Sequence, residues 1–324
     1  DMFGRSKIIV GLEIGTSKVC ALIAEVVDEA QYEILGVGVT PSRGILHGVI
    51  VDVDEAGAAI QMAVEQAERA AGYEIGTAFV NLAGKEMRSH NSPGTVGISG
   101  HRDIDQDDID RALDAAHAIA IPHNREVIHI IPRSFVVDGQ EGIRSPVGMD
   151  GFRLTVEAHI ITAAKTAMQN LTKCVESAGV MVEQFVVNPL ASAELSLTDA
   201  ERELGVVACD IGGGTTDLAV FIEGNVWHTA VLPVGGQYIT NDIAQGLRVP
   251  HDVAEEVKIE HGSASLDVNP TDTFSVIPFG HEDPIEIMGA DLSEIIEPRT
   301  EELFDLLLQE IRRSSYGGLL PAGV

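Results

Sequence analysis

Two segments of the chain share an order of residue types that suits the binding of phosphate groups. Residues 10–22 (VGLEIGTSKVCAL) and 207–220 (VACDIGGGTTDLAV) each contain an apolar strand pattern, an acid, Ile-Gly, a small polar turn and a second apolar run. This repetition predicts two equivalent hairpins in duplicated halves of the chain. The turn residues expected to contact phosphate are Gly15, Thr16, Ser17, Lys18, Gly212, Gly213, Gly214, Thr215 and Thr216.

Each residue type in these turns supports that chemistry. Glycine lets a ligand approach the main chain, and a glycine turn can direct several backbone N–H groups into one concavity that holds phosphate oxygens. The hydroxyl groups add donors, and Lys18 supplies a point charge. The acids before the turns, Glu13 and Asp210, would orient Mg²⁺ through water, because Mg²⁺ keeps most of its hydration shell. Two such hairpins facing each other would hold a triphosphate between two domains.

Other glycine motifs fit these segments less well. The patterns GxxxxGK[ST] and GxGxxG place a helix after the glycine turn, whereas a second strand pattern follows each turn here. The alternative without chemistry is a pair of ordinary hairpins, since type I′ turns also use glycine. A two-residue hairpin turn does not require GGG followed by TTD, which favours the phosphate interpretation.

The composition restricts the class of protein. The 324 residues include 21 Lys and Arg against 50 Asp and Glu, a net charge of −29, which argues against nucleic acid as a partner. The cysteines Cys20, Cys174 and Cys209 lack C-x-x-C spacing, which favours reduced thiols over disulfides or a zinc site. No apolar run approaches ~18 residues and no leader pattern is visible, so the sequence predicts a cytoplasmic protein.

The periodicity of apolar residues predicts alternating strands and helices. Residues 51–72 are expected to form a helix that an aspartate caps and a glycine ends. Between residues 79 and 162, short strand patterns and one acidic helix predict a compact α+β insertion with its own sheet, in which Pro132 marks an edge strand or a bend. Pro298 lies inside the last long helical pattern, where it predicts a kink or a boundary.

The two glycine segments resemble those of the actin, sugar-kinase and heat-shock ATPase superfamily, whose members carry two phosphate hairpins in duplicated α/β domains. The segments GGQYITNDIAQGL and VAEEVKIEHG resemble the region behind the nucleotide in that superfamily. The resemblance implies ATP and Mg²⁺ as cofactors, with Gly235 and Gly236 beside the nucleotide. It also implies that Glu255 and Lys258, three apart on one helix face, face the adenosine. The alternative for that pair is a surface salt bridge.

A closer resemblance is to the bacterial cell-division family FtsA. It rests on GLEIGTSKV, PSRG at 41–44, IPRSFVVDGQEGIRSPVGMDGFRL, ERELGVVACDIGGGTTDLAVF and EIIEPRTEEL, and extends over nearly the whole chain. The implied fold is α/β, with actin-like (ribonuclease H-like) duplicated domains around a nucleotide cleft and an FtsA-type α+β insertion subdomain. The implied subdomains are IA (1–78 and 163–190), IC (the insertion, 79–162), IIA (191–225 and 300–324, incomplete) and IIB (226–299).

The same resemblance implies a function in cell division. Members of the family are ATP-binding proteins that polymerise on the inner face of the cytoplasmic membrane at the division septum, tether FtsZ filaments and recruit later divisome proteins, here through residues 79–162. Arg299 becomes the candidate contact for the FtsZ C-terminal peptide, the alternative being an ordinary helix-surface arginine. The family's glycine-rich adenosine segment and C-terminal membrane helix are absent from this sequence, so membrane binding is expected of a longer chain. ATP hydrolysis is expected to be slow at most, and Glu13 stands where the superfamily usually has Asp.

Two other functions remain open on the sequence. An adaptor resembling the pilus-assembly protein PilM would share the insertion and the nucleotide cleft but bind a short peptide from a membrane partner; EIIEPR and DGQEGI favour FtsA. A small-molecule kinase of the same superfamily would need a base for the acceptor hydroxyl. The acids beside the second turn, Asp210 and Asp217, are both expected on the phosphate or metal side.

Overall fold

A computed structural model of the chain describes residues 7–28, 31–84, 86–100, 102–118, 121–265 and 272–324. Its strands are β1 (Lys7–Ile14), β2 (Lys18–Val26), β3 (Tyr32–Pro41), β4 (Ile45–Leu46), β5 (Val49–Ile50), β6 (Thr77–Leu82), β7 (Arg88–Gly97), β8 (Arg125–Val137), β9 (Gln140–Ile143), β10 (Arg153–Ala164), β11 (Met181–Val187), β12 (Val206–Ile211), β13 (Thr216–Ile222), β14 (Asn225–Leu232), β15 (Thr273–Val276) and β16 (Ile285–Met288). Its α-helices are α1 (Val53–Ala71), α2 (Gln106–His117), α3 (Lys165–Ser177), α4 (Asn188–Ser196), α5 (Asp199–Leu204), α6 (Gly236–Leu247), α7 (His251–His261) and α8 (Gly289–Arg313). Within the described residues, none of the helices combines the length and apolar character needed to cross a membrane.

The first sheet has the strand order β11-β6-β1-β2-β3 and carries α1 and α3 on one face. In β2 the buried residues Val19, Ala21 and Ile23 alternate with less buried ones, which directs one side of the strand into the core beneath α1. The predicted helix is confirmed: Asp52 caps α1 by accepting a hydrogen bond from the Glu55 N–H, and a left-handed glycine ends it. This sheet provides the rigid base for the first glycine turn, which joins β1 to β2.

The inserted region has a sheet of its own, as the pattern predicted. Its strands follow the order β7-β10-β8-β9, are antiparallel throughout, and pack against α2 around Leu154 and Val156. Opposite Pro132 the pairing of β8 with β10 shifts register between Glu157 and Ala158, while β9 pairs only with the end of β8. Proline has no N–H to donate to a neighbouring strand. Because β9 pairs with β8 only beyond Pro132, the missing N–H breaks no hydrogen bond between these two strands.

The second half contains the three-stranded sheet β12-β13-β14 and the helices α6, α7 and α8. Helix α8 is continuous through Pro298, so the expected boundary does not occur in the secondary structure. Its residues Leu292 and Ile296 join a core formed with α6, α7 and the β15–β16 hairpin, whereas Leu303 and Leu307 pack in the core beside β13. One helix thus connects two hydrophobic cores of the second half.

Candidate functional site

The two glycine turns close with the same hydrogen bond. In the β1–β2 hairpin the N–H of Gly15 donates to the carbonyl of Lys18 at 3.0 Å, and in the β12–β13 hairpin the N–H of Gly212 donates to the carbonyl of Thr215 at 2.9 Å. In both cases the donor directly follows the last residue of a strand, so the strand fixes the position of the turn. The sequence repeat is therefore a structural repeat.

A cavity of about 410 Å³ lies between the two turns. Residues from both hairpins line it, together with the start of α4 and the residue after β6. The lining residues that the sequence singled out are Glu13, Gly15, Thr16, Ser17, Lys18, Asp210, Gly212, Gly213 and Thr215. The further lining residues are Ala83, Asn188, Ile211 and Asp217. The structure therefore brings most of the two predicted turns to one cavity that carries a lysine, hydroxyls and three carboxylates.

The glycines of the second turn permit close approach of the first turn. A Cβ atom on Gly213 would lie 2.1 Å from the Ser17 Oγ, and one on Gly214 would lie 2.7 Å from the Thr16 Oγ1. The sequence suggested that a ligand requires these glycines, and the structure adds the opposing hairpin as a second reason. Among the described hydrogen bonds, none uses the N–H of Gly213, a residue that lines the cavity, so this donor is available to an anion.

Burial and mutual repulsion affect the carboxylates of the cavity. Desolvation raises the pKa of Glu13, Lys18 opposes that rise, and the charge of Asp210 adds to it. Asp210 accepts a hydrogen bond of 2.6 Å from the Ser192 Oγ, which orients its carboxylate from α4. A cation placed between Glu13 and Asp210 would relieve their repulsion.

Asp217 also lines this cavity; the sequence placed it on the phosphate or metal side without assigning it a binding role. It is 1% exposed, its Oδ2 accepts a 3.0 Å hydrogen bond from the Thr215 Oγ1, and its Oδ1 is buried without a partner. Burial raises the pKa of Asp217 to about 7; the Thr215 bond opposes the rise and Asp210 adds to it. The signal was strand alternation: Thr215, directly before β13, and Asp217, its second residue, are two apart and so lie on the same side of the chain.

The same alternation turns Thr216 away from the cavity. Its hydroxyl is fully buried and donates to the Val234 carbonyl at 2.8 Å, so in this structure Thr216 holds β13 to the segment before α6. The sequence expectation that this hydroxyl points at a ligand does not agree with this placement. Two asparagines behind the first turn were also not predicted. Asn81 accepts from the Ile14 N–H at 2.6 Å and donates to the Asn188 Oδ1 at 3.0 Å, which ties β1 to the start of α4.

Gly235 and Gly236 bring the start of α6 against the second turn. The N–H of Gly236 donates to the Gly212 carbonyl at 2.9 Å, and the N–H of Gln237 donates to the Gly213 carbonyl at 2.8 Å. A Cβ atom on Gly235 would lie 2.4 Å from the Gly212 carbonyl oxygen, so only glycine fits there. These residues therefore support the turn from behind and do not line the cavity.

Glu255 and Lys258 lie next to that support. The Lys258 Nζ donates to the Glu255 Oε2 at 2.7 Å, to the Thr240 Oγ1 at 2.9 Å and to the Gly236 carbonyl at 3.3 Å. Burial works to raise the pKa of Glu255, but hydrogen bonds from Lys258 and Thr240 hold that pKa below its usual value. The pair is thus an anchored connection between α7 and α6 and more than a surface salt bridge.

Arg299 on α8 is already bound within the chain. Its Nε and Nη2 donate to the two carboxylate oxygens of Asp242 at 2.6 and 3.1 Å, and its Nη1 donates to Glu302. The guanidinium also lies 5.5 Å from the ring centroid of Tyr238. The side chain remains 25% exposed, so an external carboxylate can reach Arg299 only in competition with Asp242.

The donor set of the cavity fits a nucleotide phosphate chain with a hydrated Mg²⁺. The orphaned Oδ1 of Asp217, the Lys18 ammonium and the glycine N–H groups supply acceptors for a hydrated cation and donors for phosphate oxygens. Within the described segments, no three His, Cys, Asp or Glu side chains are arranged to hold a metal ion directly. Carboxylate oxygens can also hold Mg²⁺ through the waters that it keeps in its shell.

Comparison with known proteins gives two family matches. The family described as "SHS2 domain inserted in FTSA" matches residues 84–162, and the family described as "Cell division protein FtsA" matches residues 207–320. "Cell division protein FtsA" of Pseudomonas aeruginosa is 46% identical over 319 residues, which cover 98% of this chain and 76% of the relative. The protein of the same name from Bacillus subtilis is 37% identical over 310 residues, 95% of this chain and 70% of the relative.

Solved structures agree on the fold. The "PilM-PilN type IV pilus biogenesis complex" aligns with a TM-score of 0.63 at 17% identity and covers 94% of this chain and 76% of its own. MreB5 of Spiroplasma citri bound to ADP aligns with a TM-score of 0.51 at 14% identity and covers 94% of this chain and 78% of its own. The fold is thus actin-like α/β with an inserted SHS2 domain, as the sequence predicted.

Proposed function

The chain belongs to the FtsA family of cell-division proteins, and on that premise we propose that it binds ATP with Mg²⁺ between its two glycine turns and acts as an actin-like adaptor. The observation that carries the nucleotide proposal is the cavity between two turns that close with the same hydrogen bond. Lys18 lines it from the first turn, and Gly213, whose N–H has no partner among the described hydrogen bonds, lines it from the second. The PilM alternative now has only the shared fold in its support, because that likeness is at 17% identity.

The residues of the cavity have distinct roles in this proposal. Lys18 and the N–H group of Gly213 bind phosphate oxygens, while Glu13 and Asp210 hold waters of the Mg²⁺ shell. Asp217 accepts a hydrogen bond or a proton in the cavity, since its buried Oδ1 has no partner within the described residues. When bound, Mg²⁺ would neutralise phosphate charge; the chain itself positions the acceptors.

The elements behind the two turns form the walls of the proposed cleft. We propose the four subdomains as IA (1–78 and 163–190), IC (79–162), IIA (191–225 and 300–324) and IIB (226–299). The first sheet carries one turn, β12 and β13 carry the other, and α6 with the Glu255–Lys258 pair supports the second turn from the IIB side. A nucleotide that contacts both turns favours the conformation in which they are close, because a ligand shifts an equilibrium only through differential affinity.

The adaptor function has further parts. In the proposal the chain forms filaments, and Arg299 contacts the acidic C-terminal peptide of FtsZ. Residues 79–162 receive later division proteins. In the proposal the protein attaches to the cytoplasmic membrane at the septum. Family membership supports these parts, together with the partial exposure of Arg299.

Two titrations test the proposal. The first measures binding of a fluorescent ATP analogue with Mg²⁺ to the wild-type chain, to Lys18→Gln and to the control Lys173→Gln on the exposed side of α3. Saturable binding that K18Q weakens about tenfold or more, and K173Q leaves unchanged, is expected, because removal of a charged hydrogen-bonding partner costs about 1.5–3 kcal/mol.

The second titration follows the anisotropy of a labelled FtsZ C-terminal peptide in the presence of ATP and Mg²⁺. Saturable binding that weakens with added salt is expected for an acidic peptide on an arginine. A folded, ATP-competent chain that does not bind the peptide contradicts the cell-division adaptor and leaves the nucleotide proposal intact.

A further inference from the structure

The short hairpin formed by β4 and β5 contacts both glycine turns from outside the cavity. Its two-residue turn consists of His47 and Gly48, with Leu46 and Val49 paired across it. The N–H of Gly48 donates to the Thr16 Oγ1 of the first turn at 3.1 Å, and the His47 Nδ1 lies 3.2 Å from the Gly214 carbonyl oxygen of the second turn. These two neighbouring residues therefore connect the two halves of the cleft.

The backbone of this turn is held in a special conformation. His47 has φ 49° and Gly48 has φ 72°, the left-handed pair of a type I′ turn, which Asn-Gly and Gly-Gly adopt most readily. The same geometry occurs at Glu223–Gly224, between β13 and β14, with φ 52° and 77°. There the acidic residue is exposed and distant from the cavity in the fold. His47 thus occupies a left-handed position at the cleft that glycine or asparagine would adopt more easily.

The His47 side chain has two contacts that explain its position. For the Gly214 carbonyl to accept, Nδ1 must carry the hydrogen, which fixes the tautomer of the ring. The ring centroid lies 5.5 Å from that of Tyr238, in the first turn of α6. The backbones of His47 and Gly214 are also in close contact, since a Cβ atom on Gly214 would lie 2.9 Å from the His47 Cα.

We propose that His47 and Gly48 form a clasp that keeps the two phosphate turns together and slows the release of nucleotide. The proposal rests on the proposed binding of ATP between the turns. His47 does not line the cavity, so it is a positioning residue that acts through the Gly214 peptide. For phosphates to leave between the turns, the turns must separate, and separation breaks either the His47 contact with Gly214 or the Gly48 contact with Thr16.

Three variants isolate the side chain from the backbone. His47→Gly removes the imidazole and keeps the left-handed turn without strain, since glycine adopts positive φ freely. Glu223→Gly places glycine at the corresponding position of the turn between β13 and β14 and is the matched control. His47→Asn keeps a side-chain donor in a residue that tolerates this conformation.

Two measurements are made on each variant. The first is the dissociation rate of a fluorescent ATP analogue, chased with excess ATP. We expect H47G to release it about fivefold faster than wild type, E223G to match wild type, and H47N to fall between them. The second is hydrogen exchange of the nucleotide-free chain, in which H47G should exchange faster than E223G over residues 212–217.

The outcomes separate the clasp from nucleotide binding. Equal release rates and equal exchange in H47G and E223G overturn the clasp, whatever the affinity for ATP. If the wild-type chain binds no nucleotide, the proposed function fails and the dissociation role with it, while faster exchange in H47G still supports the connection between the turns. Faster release in H47G together with partial rescue in H47N supports the complete proposal.

Discussion

The imidazole of His159 joins the inserted sheet to strand β14 through both of its ring nitrogens. Its Nδ1 lies 2.7 Å from the Asn91 Oδ1 within the insertion, and its Nε2 lies 3.0 Å from the Thr229 Oγ1 on β14. Beside it the Arg133 guanidinium stacks 4.1 Å from the ring centroid of Trp227. The insertion is therefore fixed to the strand that leads to Gly235 and the second glycine turn.

This junction predicts that the chain loses stability in mild acid. Burial, together with the nearby charges of His228, Arg133 and His90, lowers the pKa of His159 to about 3. In the unfolded chain the pKa is near 6.5. Between those values the unfolded state binds the proton and the folded state does not, so stability is complete above about pH 6.5 and falls as the pH drops. The loss from this one group is up to about 1.4 kcal/mol per pH unit.

The measurement is urea unfolding between pH 5 and 7.5 for wild type, His159→Gln and the control His123→Gln, an exposed histidine of the insertion. H159Q should be less stable than wild type at pH 7.5 by about 1–2 kcal/mol, because it loses part of a buried hydrogen-bond pair. Its stability should change less with pH than that of wild type or H123Q. Parallel pH dependence in all three chains would show that His159 is not the titrating group.

Asp217 predicts the opposite pH dependence. Its folded pKa of about 7, which burial raises, exceeds the unfolded value of about 3.9. The folded state keeps the proton between these values, so this contribution to stability decreases as the pH rises toward 7. Asp217→Asn should therefore stabilise the nucleotide-free chain at pH 8 by on the order of 3 kcal/mol and weaken binding of Mg²⁺-ATP.

Thermal unfolding at pH 6 and pH 8 checks this expectation. Asp114→Asn, an exposed aspartate on α2, provides the control for removal of one charge. If the D217N and D114N variants change the melting temperature equally at pH 8, ionisation of Asp217 carries no unusual energetic cost. Stabilisation by D217N with unchanged affinity for Mg²⁺-ATP would remove Asp217 from the site but leave the burial argument standing.

Gly235 predicts a steric test of the second turn. A Cβ atom there would lie within 2.7 Å of two carbonyl oxygens, those of Gly212 and Gly213, and backbone atoms cannot rotate away. Gly235→Ala should destabilise the chain by about 1–3 kcal/mol and lower ATP affinity at least about tenfold, because α6 must move away from the turn. Gly76→Ala is the control, since a Cβ atom there meets nothing within 4 Å. Equal stability and affinity in both variants would contradict the close packing of α6 on the turn.

The sequence was sufficient to predict the two hairpins and the helix α1, because local chemistry determines both. Glycine turns after buried strands, an aspartate cap and a left-handed terminal glycine act within a few residues. The order of the two hairpin segments also identified the actin-like fold, which the family matches and structural neighbours confirm.

Long-range contacts determined what the sequence did not predict. Glycine is required at positions 213 and 214 partly because Ser17, Thr16 and His47 pack against them, and these three residues lie far away in the chain. The orientation of Thr216 depends on where the turn ends and β13 begins, and a shift of one residue reverses every side chain. Asn188 reaches the cavity only because α4 begins directly after β11.

Arg299 and Asp242 supply the final prediction, for partner binding. The Arg299 guanidinium donates hydrogen bonds to both carboxylate oxygens of Asp242, so an acidic peptide must displace this internal partner. Arg299→Gln should weaken binding of the FtsZ peptide, whereas Asp242→Asn should strengthen it by about threefold to tenfold, because the arginine loses its internal competitor. Arg299→Glu is less informative, because it would place a third acid beside Asp242 and Glu302.

Peptide anisotropy at two salt concentrations measures these effects, with Asp305→Asn on the exposed side of α8 as the control for net charge. D305N and D242N change the charge of the chain equally, so a difference between them must come from the contact with Arg299. If D242N weakens binding as R299Q does, the ion pair shapes the site as a unit and Arg299 is not the direct contact. If neither variant changes the affinity, the peptide binds elsewhere on the chain.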